Sequence, residues 1–435
     1  MEKLFFPENR ERIDKIIAGR NFTISDDINK TVNEIIKHVK AEGDKALYEY
    51  TARFDKVVLK QLRVDKSEIE AAYDSIDGDF LEPLNKAINN IRDYQARNLP
   101  ENSFYYRNRN MVGQVVNPMQ RVATYVPGGT AAYPSSVLMT AIPAQEAGVE
   151  EIVAVSPPGE NGKINPYTLV ALAEVGVNEI YKVGGAQSIA ALAYGTDSID
   201  AVEKIVGPGN IYVTVAKKKV FGQVDIDMLA GPSEILILAD DTVNTEFVAA
   251  DLLSQAEHDP LAVPALITNS QEIMQEIDNE VQRQLQNLDR VDIARESWQE
   301  KGLIIYVEDI KEGIKLVNKF APEHLELMIS DPSSYLGLIR NAGAIFIGQY
   351  SPEPLGDYMA GPSHVLPTAG TARFASPLSV NDFVKRSSII CYQKEGLAAD
   401  EKAIRKLAGL EGLSAHANAI KVRFEEGENG KADKT

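Results

Sequence analysis

The 435-residue chain has only five histidines, and four of them stand beside carboxylates, amides or glycine-rich turns. Their neighbours decide what chemistry each can do. In Ser254-Gln255-Ala256-Glu257-His258-Asp259-Pro260, which closes a predicted helix, Gln255 and His258 lie three positions apart on one face and can share a metal ion. A polar helix end with a histidine near the negative pole of the dipole is the competing reading. In Ala321-Pro322-Glu323-His324-Leu325-Glu326 an acid adjoins an imidazole where a helix is predicted to start or restart after Pro322. General acid–base chemistry needs groups of this kind, because imidazole titrates near neutrality, although acidic charge at a helix N-terminus explains the same residues. Asp357 and His364 fall in the glycine-, proline- and polar-rich stretch from Gly356 to Thr368, predicted as a functional loop. Glu411 and His416, in Glu411-Gly412-Leu413-Ser414-Ala415-His416, form a further acid–imidazole pair or an ordinary helix end. His38 sits among helix-surface lysines and is assigned no role.

The single cysteine, Cys391, leaves no internal disulfide and no cysteine-rich zinc knuckle, so any metal must use nitrogen and oxygen ligands. Taken jointly, Gln255, His258, Asp357 and His416 are a donor set of the sort found in catalytic rather than structural zinc sites. A second kind of chemistry is suggested by three glycine-rich turns, each after a predicted strand: Tyr125-Val126-Pro127-Gly128-Gly129, Val183-Gly184-Gly185-Ala186-Gln187 and Val206-Gly207-Pro208-Gly209-Asn210-Ile211-Tyr212. Such turns bring backbone N–H groups and a helix N-terminus to a phosphate. The third has Tyr212 where a dinucleotide fingerprint needs its last glycine, so it fails as a strict match.

The elements that must position these groups follow from hydrophobic period. Helical spacing dominates from Ser25 to Asn98. From Arg121 onward, short β-rich runs (121–126, 151–155, 179–183, 203–206) alternate with helical stretches, and the alternation resumes after Gly231-Pro232-Ser233 with strands at 234–239, 263–268, 303–307 and 342–348. The fold expected is α/β: two Rossmann-like parallel-sheet domains with helical N-terminal and C-terminal appendages. The divisions expected are an arm at 1–25, a larger α/β domain from 26–124 plus 234–376, a nucleotide-binding domain at 125–233, and a C-terminal segment at 377–435 thinning to short helices and a polar tail.

Composition sets the outer limits. An apolar share of 44% and a charged share of 25% are ordinary for a globular protein, and a net charge of -18 with no basic block argues against nucleic acid and anionic membrane as partners. No apolar run approaches ~18 residues and the start lacks the succession of a signal peptide. A cytoplasmic location is expected, which makes Asn21-Phe22-Thr23 a chance glycosylation match.

At these residues the sequence resembles histidinol dehydrogenase, the family of the last enzyme of histidine biosynthesis. The resemblance runs over nearly the whole chain, from the turn at Tyr125 to the Ser414-Ala415-His416 tail, with separate motifs in the family's order and spacing. It implies a cytoplasmic homodimer that binds one Zn2+ per subunit and oxidises L-histidinol through an aldehyde to L-histidine with two NAD. It further implies that Gln255, His258, Asp357 and His416 hold the zinc and that Glu323 and His324 are the catalytic acid–base pair. Ser233, Glu323, His324, His364 and Glu411 join the zinc ligands around histidinol, and Tyr125, Gln187 and Asn210 contact NAD. Glu411 and His416 are expected to serve the partner subunit's site. The chain departs from the family at Ala132, where many members have proline, and around Asp259-Pro260.

Other function classes remain for comparison. A related zinc and NAD dehydrogenase acting on another hydroxyl compound would be expected to change His364 or Glu411. A zinc hydrolase would use Glu323 to activate water and have no need of the glycine turns. A non-catalytic nucleotide-binding protein would give no reason for four histidines beside acids and amides.

Overall fold

A computed structural model describes residues 1–20, 24–128 and 132–425. The Asn21-Phe22-Thr23 match, Gly129 of the first glycine turn and the tail from 426 lie outside the described residues. The chain divides into two units: Met1–Leu99 with Met119–Phe383, and Pro100–Pro118 with the chain from Val384 onward.

The first unit opens with strand β1 (Glu2–Phe5) and helices α1 (Arg10–Gly19), α2 (Asp26–Glu42), α3 (Asp44–Phe54), α4 (Lys66–Tyr73) and α5 (Leu81–Ala96). After the excursion of β2 (Ser103–Arg107) and β3 (Asn110–Pro118) into the second unit, it continues as β4 (Arg121–Tyr125), α6 (Pro134–Glu146), β5 (Glu151–Val155), α7 (Pro166–Glu174), β6 (Glu179–Tyr181), α8 (Gly185–Tyr194), β7 (Lys204–Val206), α9 (Ile211–Val220) and β8 (Asp225–Ile226). These five strands form one parallel sheet in the order β6-β5-β4-β7-β8. Next come β9 (Glu234–Ala239), α10 (Thr245–Ala256), β10 (Val263–Thr268), α11 (Gln271–Leu285), α12 (Val291–Lys301), β11 (Leu303–Tyr306), α13 (Ile310–Phe320), β12 (His324–Met328), β13 (Ala344–Ile347) and α14 (Glu353–Tyr358). Their strands and β1 make a second parallel sheet, ordered β1-β11-β10-β9-β12-β13.

The α/β class and its two parallel sheets agree with the sequence reading; several assignments change. β9 is buried along its whole length, as expected for a strand covered on both faces. Ile235 and Ile237 face the core built with α10 and α11, while Leu236 and Leu238 face the core built with α13 and Ile13 of α1. Residues 1–25 are therefore more than an arm, since β1 adds an edge strand and α1 buries Ile13. The sequence groups 26–124 with 234–376, but Val32, Ile35 and Leu47 of α2 and α3 pack in one core with Ala123, Ile189 and Val213 of the first sheet's layer. β4 is itself the central strand of that first sheet. Helix α2 starts where Ser25 accepts a hydrogen bond from the Ile28 N–H at 3.3 Å, and its apolar stripe determines which layer it joins. Among the described residues, no helix is long and apolar enough to cross a membrane.

The second unit holds β2, β3 and β14 (Val384–Cys391) as an antiparallel sheet ordered β14-β3-β2, then α15 (Lys394–Leu410) and α16 (Ser414–Lys421). The expectation of short helices alone beyond Pro377 is thus incomplete.

Candidate active site

Helix α13 is strongly amphipathic, with Ile314, Val317 and Phe320 buried, and it must stop before Pro322 because proline cannot supply the next N–H. Ala321 takes a left-handed conformation (φ 51°) and its N–H caps the Val317 carbonyl. The turn delivers Glu323 and His324 to the amino end of the second sheet, where His324 opens β12 between β9 and β13. The helix predicted to follow Pro322 is therefore a central strand.

Both side chains are held by the main chain of one neighbour. The Glu234 N–H donates to Glu323 Oε2 at 2.8 Å, and His324 Nδ1 lies 3.0 Å from the Glu234 carbonyl oxygen. A carbonyl can only accept, so Nδ1 carries the proton and Nε2 is left as the basic nitrogen. Nε2 is buried and has no hydrogen-bond partner. Burial pushes the His324 pKa down to about 4, so the imidazole is neutral near pH 7. Glu323 moves the other way: burial, with Glu234, Asp357 and Glu353 adding repulsion, raises its pKa well above the usual carboxyl range.

Along β12 the side chains alternate, and His324 and Glu326 share one face. Gln255 is fully buried at the end of α10, and neither atom of its side-chain amide has a hydrogen-bond partner. His258 lies just past the helix with an exposed edge; burial of the ring, then Arg290 and His364, lowers its pKa. Asp357 is on α14 rather than in a loop. Gly356 allows that helix to lie on Phe346, because a Cβ there would sit 2.7 Å from the ring. Donor atoms of His258, Glu353 and Asp357 lie within 4.8 Å of one another. His364 Nδ1 is 3.7 Å from Asp357 Oδ1, and burial brings the His364 pKa down to about 4. The converging imidazole and carboxylate donors of His258, Glu353 and Asp357, with a buried Gln255 amide one helical turn before His258 that has no partner of its own, fit a divalent cation with nitrogen and oxygen ligands.

Ser233 is half-buried immediately before Glu234. Glu411 ends α15 and His416 lies on α16, both exposed and both in the second unit.

The candidate cofactor residues lie at the carboxyl ends of the first sheet. Tyr125 ends β4 and is 4% exposed. Its hydroxyl accepts the Gly185 N–H at 3.2 Å, and burial raises its pKa to about 12. Gln187 is buried in the first turn of α8, its Oε1 without a partner. Asn210 is exposed and caps α9, its Oδ1 accepting from Tyr212 and Val213 at 3.0 and 3.2 Å. A polar cleft of about 370 Å³ opens nearby, lined by Pro127, Gly128, Ser156 and Lys163 among others.

The histidinol dehydrogenase family model matches residues 19–424. The chain belongs to the histidinol dehydrogenase family. It is 54% identical to a histidinol dehydrogenase of Clostridium acetobutylicum over 92% of this chain and 93% of that one. Against the Bacillus subtilis histidinol dehydrogenase, identity is 54% over 91% and 92% of the two chains. The crystal structure of histidinol dehydrogenase from Elizabethkingia anophelis superposes with a TM-score of 0.94 at 38% identity, covering 97% of this chain and 98% of that one. As a histidinol dehydrogenase family member the chain is an oxidoreductase.

In this histidinol dehydrogenase family member, the sequence reading missed Glu353, which is 1% exposed. Its N–H donates to Glu326 Oε1 at 2.8 Å and its Oε2 accepts from Ser254 at 3.2 Å, so it connects α14 to β12 and α10. Burial and the facing Asp357 raise the Glu353 pKa to about 9, and burial raises that of Asp357 to about 6. Two facing carboxyls need a shared proton or a cation between them. The available signal was the spacing in Pro352-Glu353-Pro354-Leu355-Gly356-Asp357: prolines that open a helix, and acids four apart on one face.

Proposed function

We propose that the protein is a zinc-dependent L-histidinol dehydrogenase, oxidising L-histidinol to L-histidine through the aldehyde with two NAD. The observation that carries this reading is the neutral His324, its Nε2 buried without a hydrogen-bond partner and the ring close enough to His258 and His364 to feel their charge, in a protein where His258, Glu353 and Asp357 converge as donors. When bound, the zinc would hold the imidazole and amine of histidinol while NAD accepts hydride. Gln255, His258 and Asp357, with His416 contributed across a dimer, are the residues proposed to hold the metal. Tyr125, Gln187 and Asn210 are those proposed to meet NAD.

His324 takes the proton of the substrate hydroxyl in the first oxidation and that of the aldehyde hydrate in the second. Glu323 orients the water that forms the hydrate, its carboxyl raised by burial above the usual carboxylate range and fixed by the Glu234 N–H. Ser233, His364 and Glu411 complete the substrate contacts. A homodimer is part of this reading. Glu411 and His416 are exposed on their own unit, which also exposes the apolar side chains of Tyr106, Ile390, Leu407 and Leu410.

The test is stoichiometric. Zinc-loaded protein given L-histidinol and NAD should form two NADH per substrate consumed, and chelation should abolish the reaction. One NADH per substrate would mean a reaction that stops at the aldehyde, and hydrolysis without NADH would favour the hydrolase.

A further inference from the structure

We propose that Arg20 is a positioning residue for Glu323 and His324, acting through Glu234; the inference rests on the reading of those two as the reacting pair. Arg20 follows α1, far from the pair in sequence, yet its side chain is only 8% exposed. Nη1 lies 2.7 Å from Glu234 Oε1, whose side chain is 3% exposed. Nη2 donates to the Phe320 carbonyl, and the guanidinium carbon stacks 3.5 Å from the centre of the Phe320 ring. The Glu234 carboxylate also accepts the backbone N–H of Ala369.

Arg20 therefore grips both chain segments that define the pair. One is the first residue of β9, whose N–H and carbonyl orient Glu323 and His324. The other is the last residue of α13, three positions before Glu323. A planar guanidinium can hold a carboxylate, a carbonyl and a ring face together; an ammonium cannot. Cohesion alone gives no reason for ions at this place, since a buried ion pair is often replaced by apolar residues without loss of stability. A fixed direction does give a reason. Rotation of the Glu234 peptide would release both catalytic side chains and the tautomer of His324.

The test uses zinc-loaded protein with Arg20→Met, Arg20→Lys and His324→Asn, reading kcat, KM for histidinol, zinc content and thermal midpoint. Misplacement of reacting groups by ~1 Å costs about 100-fold, so Arg20→Met should lower kcat by about 10- to 100-fold. KM should stay within about threefold and zinc content unchanged, because the metal-binding residues are not touched. Guanidinium at tens of millimolar should restore part of the lost turnover in Arg20→Met and none in His324→Asn. Arg20→Lys keeps the charge and guards against a variant that fails to fold; its kcat should also fall at unchanged KM. Wild-type kcat in a folded Arg20→Met or Arg20→Lys overturns the proposal, as does a loss in Arg20→Met that guanidinium leaves untouched. Wild-type turnover in His324→Asn would instead remove the base assignment beneath it.

Discussion

The carboxyl ends of the first sheet and the amino ends of the second satisfy their polar groups differently. At the first, Tyr125 accepts from Gly185 and Asn210 caps α9. The Gly207 N–H donates to Asp227 at 2.7 Å, and Asp227 in turn pairs with Lys217 in the core. At the second, His324 Nε2, both amide atoms of Gln255 and one oxygen of Glu353 are buried without partners. A finished hydrogen-bond set can hold a ligand through backbone and shape, whereas an unfinished one is costly until a ligand completes it. Gln187 Oε1 is left open at the first, so the contrast is one of degree: most polar groups there have partners of their own, and the larger set of orphaned groups lies at the second.

The most severe way to break the comparison is His324→Asn. It removes the free basic nitrogen while keeping a polar side chain of similar size, so kcat should fall by about 10²- to 10⁴-fold. Histidinol binding by calorimetry and zinc content should hardly move. A variant that turns over normally would mean that the orphaned nitrogen has no part in proton transfer.

In the first region the sensitive atom is in the backbone. Gly207 has φ 112°, and a Cβ there would lie 2.2 Å from the Tyr125 carbonyl oxygen. Gly207→Ala must distort the turn, at a cost of roughly 1–3 kcal/mol for the backbone conformation alone. A lowered thermal midpoint and a raised KM for NAD, with the zinc content intact, would locate the damage in this turn. An unchanged midpoint would mean that the turn is not held as tightly as its contacts require.

Much of this arrangement was legible in the sequence, and the failures have physical causes. Strands 151–155, 234–239 and 263–268 are β-rich apolar runs bounded by turns, so their limits could be read directly. After its first residue, β12 (His-Leu-Glu-Leu-Met) is composed of good helix formers, and its place between β9 and β13 makes it a strand. The β2–β3 hairpin turns on Asn108 and Arg109, both with positive φ, but arginine stands where glycine would have announced the turn. His258 and Asp357 could be paired from their residue types. Glu353 was missed because the stretch around it reads as a loop, so the acid four positions before Asp357 had no face to share.

Glu353→Gln sharpens the contrast through pH. An unfolded carboxyl titrates near 4.5 and the folded one at about 9, so between these values only the native state holds the proton. The wild-type contribution is therefore full below about 4.5 and is lost as pH rises toward 9. Glutamine does not titrate. In chelator-treated protein the thermal midpoint of the variant should gain on wild type steadily from pH 5 to 9, and zinc should narrow the gap by stabilising the ionised carboxyls. A gap that does not change with pH would mean that Glu353 is ionised in the native state, and that the second region is less unfinished than its geometry indicates.

The smallest effect tests whether a partnered residue can also serve a ligand. Asn210 is occupied as the cap of α9, so Asn210→Ala should cost ~1 kcal/mol of stability whatever else the side chain does. Asn210→Asp keeps the capping oxygen and favours the helix dipole, leaving the thermal midpoint near wild type, but sets a negative charge where an anionic cofactor is proposed to approach. If Asn210 meets NAD, the Asp variant should raise KM for NAD several-fold without losing stability, and added salt should relieve the increase because it screens an exposed charge. If KM for NAD is unchanged in Asn210→Asp, the residue is a helix cap alone, and the first region must rely on Tyr125, Gln187 and the backbone of the glycine turns.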